Sequence, residues 1–178
     1  MKNLALLLAF VGVVVACDVK WPNGTDTNFH WYQCNTGPLT FYNATPFDQT
    51  GTTYEYPIHL GKPLMVKCDV LNPKNVYSSP NLILNINIWS WGTSLGTCAW
   101  SILPTFGMLS NLDACSHGVT CPIKVGREEL DVMVDFTKYQ TIINLLKDDA
   151  PYQLEYAMHD NLSKDNICFM AQARTRLV

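Results

Sequence analysis

Seven cysteines carry most of the reactive chemistry in this 178-residue sequence: Cys17, Cys34, Cys68, Cys98, Cys115, Cys121 and Cys168. Two chemistries compete for them. Zinc would call for Cys-x-x-Cys pairs or paired histidines, and neither spacing occurs. Oxidation to disulfides is the alternative, and it suits an oxidising compartment. The stretch Cys115-Ser116-His117-Gly118-Val119-Thr120-Cys121-Pro122-Ile123 fits that chemistry, because two cysteines close a short loop and a proline-led apolar run starts directly after it. Such a bridge pins a turn where the chain re-enters β-structure. Six cysteines admit fifteen pairings, among which the sequence alone does not choose. Cys17 is the natural odd one out.

Catalysis has little to build on. His30, His59, His117 and His159 fall in no motif, and no Gly-x-Ser-x-Gly elbow is present. His159-Asp160 is a phospholipase-like pair, but it lacks the cysteine context and calcium loop such enzymes carry. The expectation is a protein that is not an enzyme and needs no metal or cofactor. A formal net charge of −3, with acids and bases interspersed, excludes nucleic acid as a partner, which would demand a basic stripe.

The elements that hold these residues come after a leader. Lys2 supplies a positive start, Leu4 to Val15 an apolar run, and Val14-Val15-Ala16 a small-residue cleavage site. Residues 1–16 therefore read as a secretory signal peptide, and residues 17–178 as a single domain. A lipid-modified bacterial Cys17 is the competing reading. Three N-glycosylation sequons, at Asn23, Asn43 and Asn161, favour a eukaryotic secretory route. The charged fraction is 15% and the apolar fraction 48%, which is compatible with more apolar surface than one core needs.

Alternation with a period of two dominates the domain. Leu64, Val66, Cys68 and Val70 share one strand face; Leu82, Leu84, Ile86 and Ile88 share the next. Leu130, Val132, Val134 and Phe136 follow, then Tyr152, Leu154, Tyr156 and Met158. A last strand spans about Ile167 to Leu177, with Phe169, Ala171 and Ala173 facing inward. Turn signals at Asn72-Pro73, Ser79-Pro80, Trp91-Gly92, Val125-Gly126 and Asp149-Ala150-Pro151 separate the runs. The pattern predicts an all-β fold, an antiparallel β-sandwich. Tyr139, Ile142, Ile143 and Leu146 instead fall at helical spacing, so Lys138 to Lys147 reads either as a short helix or as an apolar loop.

In this order the features resemble the ML lipid-recognition family. Cys-x5-Cys-Pro-Ile at 115–123, a cysteine near the start of the domain and a cysteine in the last strand carry the resemblance. Phe29-x-Trp31-x-x-Cys34 is similar to the ganglioside-activator branch, and Ser116 to Ile123 to the Niemann–Pick type C sterol-carrier branch. The resemblance implies an immunoglobulin-like sandwich with an apolar cavity between its sheets, stapled by Cys34–Cys168 and Cys115–Cys121. It also implies a third bridge, Cys68–Cys98, like that of the sterol-carrier branch. The extra cysteines of the ganglioside activator's fourth bridge are missing. Closing a loop as long as Cys34 to Cys168 would stabilise by roughly 4–5 kcal/mol in the chain-entropy picture.

The function so implied is a secreted or lysosomal lipid-binding and transfer protein, holding a sterol, phospholipid or glycolipid. Each buried methylene of that ligand contributes about 0.8 kcal/mol. The alternative is an extracellular recognition module or co-receptor that transfers nothing. Candidate cavity residues are Val66, Leu84, Ile86, Ile88, Leu103, Phe106, Met108, Leu109, Val132, Val134, Leu154, Tyr156, Met158 and Phe169; for any one of them, a place in a solid core is the competing reading. Ile142, Ile143, Leu145 and Leu146 form either a rim that touches membranes transiently or a core-facing helix. Lys138 and Lys147 flank them, available to anionic headgroups but opposed by Asp148 and Asp149. A lipid hydrolase or a receptor is the protein partner such a carrier would serve.

Overall fold

A computed structural model describes residues 17–177. The leader expected at 1–16 lies outside the described residues. The strands are β1 (His30–Gln33), β2 (Thr40–Phe47), β3 (Ile58–His59), β4 (Leu64–Asn72), β5 (Leu82–Ser94), β6 (Thr97–Ile102), β7 (Leu112–Asp113), β8 (Gly126–Val134), β9 (Ala150–Asp160) and β10 (Asn166–Arg176). One helical turn, α1 (Gln140–Ile143), sits between β8 and β9.

Two sheets result, as the period-two pattern requires. The larger runs β1-β10-β9-β5-β6, with β7 on β5 and the two-residue β3 parallel to β10; the smaller is β2-β4-β8. All other pairings are antiparallel. The fold is therefore an immunoglobulin-like antiparallel β-sandwich. Strict alternation of burial along β4 and the first half of β5 places Leu64, Val66, Cys68 and Val70 against Leu82, Leu84, Ile86 and Ile88 in one core. No helix among the described residues is long and apolar enough to cross a membrane.

Two expectations need correction. The Trp91-Gly92 turn does not form: β5 runs on to Ser94 and pairs with β6 through Trp91↔Trp100 and Gly92↔Ala99, and the reversal comes at Leu95 and Gly96, both with positive φ. The cysteine pairing also differs. Cys34–Cys168 and Cys115–Cys121 are bonded, but the third bridge joins Cys17 to Cys98. Cys68 is free and only 2% exposed. The reason is strand geometry: Cys68 occupies an inward position on β4, whereas Cys98 lies on β6, the edge strand of the other sheet. Residue 17 reaches that edge because its backbone N–H donates to Thr93 Oγ1 at 2.8 Å and Val19 O accepts from Trp91 Nε1 at 2.6 Å.

Candidate functional site

β10 turns Ala171 and Ala173 inward, opposite Leu154 and Tyr152 of β9. Methyl groups at two successive inward positions leave the space between the sheets incompletely filled. The result is an apolar cavity of about 100 Å³, bounded by Ile88, Leu154, Tyr156 and Phe169 on one side and by Phe41, Val66, Cys68 and Val132 on the other. A void with such walls stays dry.

Eight expected cavity residues line this space: Val66, Ile88, Val132, Val134, Leu154, Tyr156, Met158 and Phe169. The others do not. Leu84 is fully buried in solid core, while Leu103 and Met108 are half-buried against it. Phe106 is 66% exposed, because a positive φ in a Thr105–Met108 turn points it away from the sheets. Ile86 and Leu109 belong to a second cavity. Sequence reasoning missed Phe29, Phe41, Ile58, Leu60 and Val119, which sit on short strands and loops or at a strand end. The signal that was present in the sequence was the pair of alanines at 171 and 173.

The second cavity, about 250 Å³, lies where the edge of β8 faces the Leu109–Leu112 segment. Ile86, Leu109 and Leu112 form one wall, Ser116, His117 and Gly118 another, and Met133 to Phe136 with Lys138 and Tyr139 the rest. Val134, Phe136 and Tyr156 line both cavities, so the dry interior adjoins a compartment with polar walls at these three side chains.

The Cys115–Cys121 loop builds one wall of that compartment. Asp113 opens it by accepting from Cys115 N at 3.0 Å and Ser116 N at 3.3 Å. Ser79 and these amides hold the Asp113 carboxyl below its usual range. His117 Nδ1 donates to the Asp113 carbonyl at 2.8 Å. Gly118 and Thr120 then clip onto β8, through Met133 N to Gly118 O at 2.8 Å and Thr120 N to Asp131 O at 3.0 Å. Asp135 is occupied by Thr137, which donates from its backbone N–H and its hydroxyl. Lys138 stays exposed.

The segment after β8 divides between core and surface. Ile142 is fully buried, and with half-buried Leu146, four residues on, it lines the inner cavity. Ile143 is half-buried against the core, and Leu145 is 44% exposed. The inward pair behaves as core, and Leu145 is exposed, as are Lys138 and Lys147 at the two ends of the segment.

Cys68 lines the cavity as a small apolar group. Burial pushes its thiol up to about 12, so it is protonated and inert at neutral pH. The one trio of possible metal-ligand atoms among the described residues is Cys34, Glu155 and Cys168, and its two sulfurs are bonded to each other. Of the sequons, Asn43 and Asn161 are exposed; Asn23 is exposed too, but its amide donates to Gln172 Oε1 at 2.6 Å.

No protein-family model matches the chain, and no curated protein sequence matches it. Among solved structures it is similar to a Niemann-Pick type C2 protein from Japanese carpenter ant, with 13% sequence identity and a TM-score of 0.45 over 83% of this chain and 99% of that one.

Proposed function

We propose that this protein binds a lipid between its two sheets and carries it through an oxidising, aqueous compartment, outside the cell or in the lysosomal lumen. The observation that carries the reading is the dry apolar cavity between the sheets, adjoining a polar-walled one at Tyr156. Burying an alkyl chain there gains about 0.8 kcal/mol per methylene, without a charged contact. Three disulfides suit the compartment, and the exposed sequons at Asn43 and Asn161 suit the route to it.

Volume sets the mechanism. A pocket for a drug-sized ligand runs to roughly 300–1,000 Å³, against about 100 Å³ here. Loading a whole lipid therefore requires the two sheets, which share no strand pairing, to part. Leu145 and the flanking lysines, exposed on the segment whose Ile142 and Leu146 line the cavity, would meet the donor membrane.

The test is uptake. Protein secreted from a eukaryotic host and stripped of lipid should bind dehydroergosterol or a fluorescent phosphatidylcholine one to one, and native mass spectrometry of unstripped protein should show a co-purified lipid. An empty protein that takes up neither would overturn the reading. The small volume favours a second reading, a recognition module that grips part of a lipid and transfers none. Accelerated exchange between vesicles would sink that one.

A further inference from the structure

Three tyrosines are buried among the described residues: Tyr77, Tyr152 and Tyr156. Two have partners. The Tyr77 hydroxyl donates to Asp165 at 2.9 Å, and the Tyr152 oxygen accepts from Lys147 N at 2.6 Å. Tyr156 is 7% exposed, and its hydroxyl has no hydrogen-bond partner among the described residues; its phenol is raised by burial and by Tyr139 and Cys68 nearby, with no hydrogen bond contributing. A buried hydroxyl left unpaired costs free energy that a partner would recover. Nor is this oxygen walled in by protein, since the sealed, unpartnered side-chain atoms are His30 Nδ1 and Asp131 Oδ1. It keeps some accessible surface, and Tyr156 borders both cavities.

Building on the lipid-binding reading, we infer that the Tyr156 hydroxyl is the anchor for the first polar atom of the ligand, at the point where the dry cavity meets the polar-walled one. The phenol is neutral at physiological pH, so it both donates and accepts. It therefore takes a hydroxyl, an ester carbonyl or a carboxyl, and the ligand class is an aliphatic chain ending in an oxygen function. The chain occupies the inner cavity, whose small volume suits a narrow alkyl group. The oxygen sits on Tyr156, and any larger head extends past Ser116, His117 and Lys138 in the outer cavity. An alkyl chain without that oxygen would fill the same volume and leave Tyr156 unpaired.

The test compares two probes of equal length, 1-hexadecanol and 1-chlorohexadecane, displacing N-phenyl-1-naphthylamine from the stripped, disulfide-bonded protein. Tyr156→Phe keeps the ring and deletes the oxygen. Its unfolding midpoint, measured alongside, identifies a variant that has lost its fold; Tyr156→Leu then serves as a second variant without a hydrogen-bonding side chain. The expected result is a loss of about 5- to 10-fold in hexadecanol affinity, the worth of one neutral hydrogen bond, with chlorohexadecane unchanged. If both probes weaken alike, or neither weakens, Tyr156 is packing and the anchor is overturned while lipid binding stands. If the wild-type protein binds neither probe, the lipid-binding reading falls and takes the anchor with it.

Discussion

Ala171 on β10 is paired with Leu154 on β9, and both side chains face the cavity. The pairing shows how the hole is made: one partner stops at Cβ, and nothing from the opposite sheet reaches down to replace the missing bulk. Ala173 opposite Tyr152 repeats the arrangement two residues on.

Filling that space separates binding from stability. Ala171→Leu adds three carbons next to an existing void, so its stability should stay within about 1 kcal/mol of wild type or rise. Lipid uptake should fall at least tenfold. Fluorescent-lipid titration beside chemical denaturation measures both, and unimpaired uptake by a stable variant would place the lipid elsewhere.

The cysteine pairing predicts one free thiol, at Cys68. Peptide mapping without reduction should recover Cys17 linked to Cys98, and maleimide should label nothing in the native state and one site after unfolding. Cys98→Ser should release Cys17 for labelling without altering Cys68. Labelling of native Cys68 would contradict its burial.

Leu145 and Ile142 are predicted to respond oppositely to charge. Leu145→Asp, on an exposed position, should change stability by no more than about 0.5 kcal/mol and weaken association with anionic vesicles. Ile142→Asp puts a carboxylate into a fully buried site and should cost several kcal/mol or prevent folding. Flotation with vesicles and thermal melts would distinguish them; equal effects on folding would make Leu145 part of the core.

The loop closed by Cys115 and Cys121 admits no side chain at its left-handed residue. Gly118 has φ +102°, and a Cβ there would lie 1.9 Å from the Met133 carbonyl oxygen. Gly118→Ala should cost about 2 kcal/mol or more, read as a fall of roughly 5–10 °C in Tm. A variant that melts with the wild type would show that the loop can lift off β8.

Stability should be flat through mildly acidic pH. Arg174 holds Asp149 below the usual carboxylate range, Arg127 does so for Asp69, and Asn75, Ser163 and Tyr77 for Asp165. Folded values below the unfolded one give stability that is fully present above about pH 4 and lost as the pH falls through the lowered values. On the alkaline side Cys68 acts in reverse: from an unfolded value of about 8.5 up to its folded value of about 12, rising pH favours the unfolded state. Urea midpoints from pH 3 to pH 10 would check both limbs, and a decline already under way between pH 7 and pH 5 would refute the acid one.

The long inward faces were legible in the sequence because apolar residues recur at every second position in parts of β4, β5, β8, β9 and β10. β2 was not. A bulge between Phe41 and Asn43 shifts its register, so the buried residues Phe41 and Ala44 fall three apart and the period of two breaks. Strands of two to six residues, such as β3 and β6, offer too few positions for any period to show. Much of the cavity wall was legible for the same reason as the strands. Its location was not, since a void is set by what small residues fail to fill. Tyr156 reads in the sequence as one more inward aromatic; only the absence of a partner in three dimensions sets it apart from Tyr152.

The bridges 17–98 and 34–168 interleave along the chain, since Cys34 lies inside the first loop and Cys98 inside the second. Residues 34–98 therefore belong to two closed rings at once. Cutting either ring leaves this stretch, with β2, β3, β4 and β5, still enclosed by the other. The oxidised unfolded chain is thus a pair of linked loops instead of a free coil, already drawn in before any strand pairs. A hollow native state competes only against that restricted ensemble, so a reductant that opens both rings would weaken the fold without touching an atom of the cavity wall.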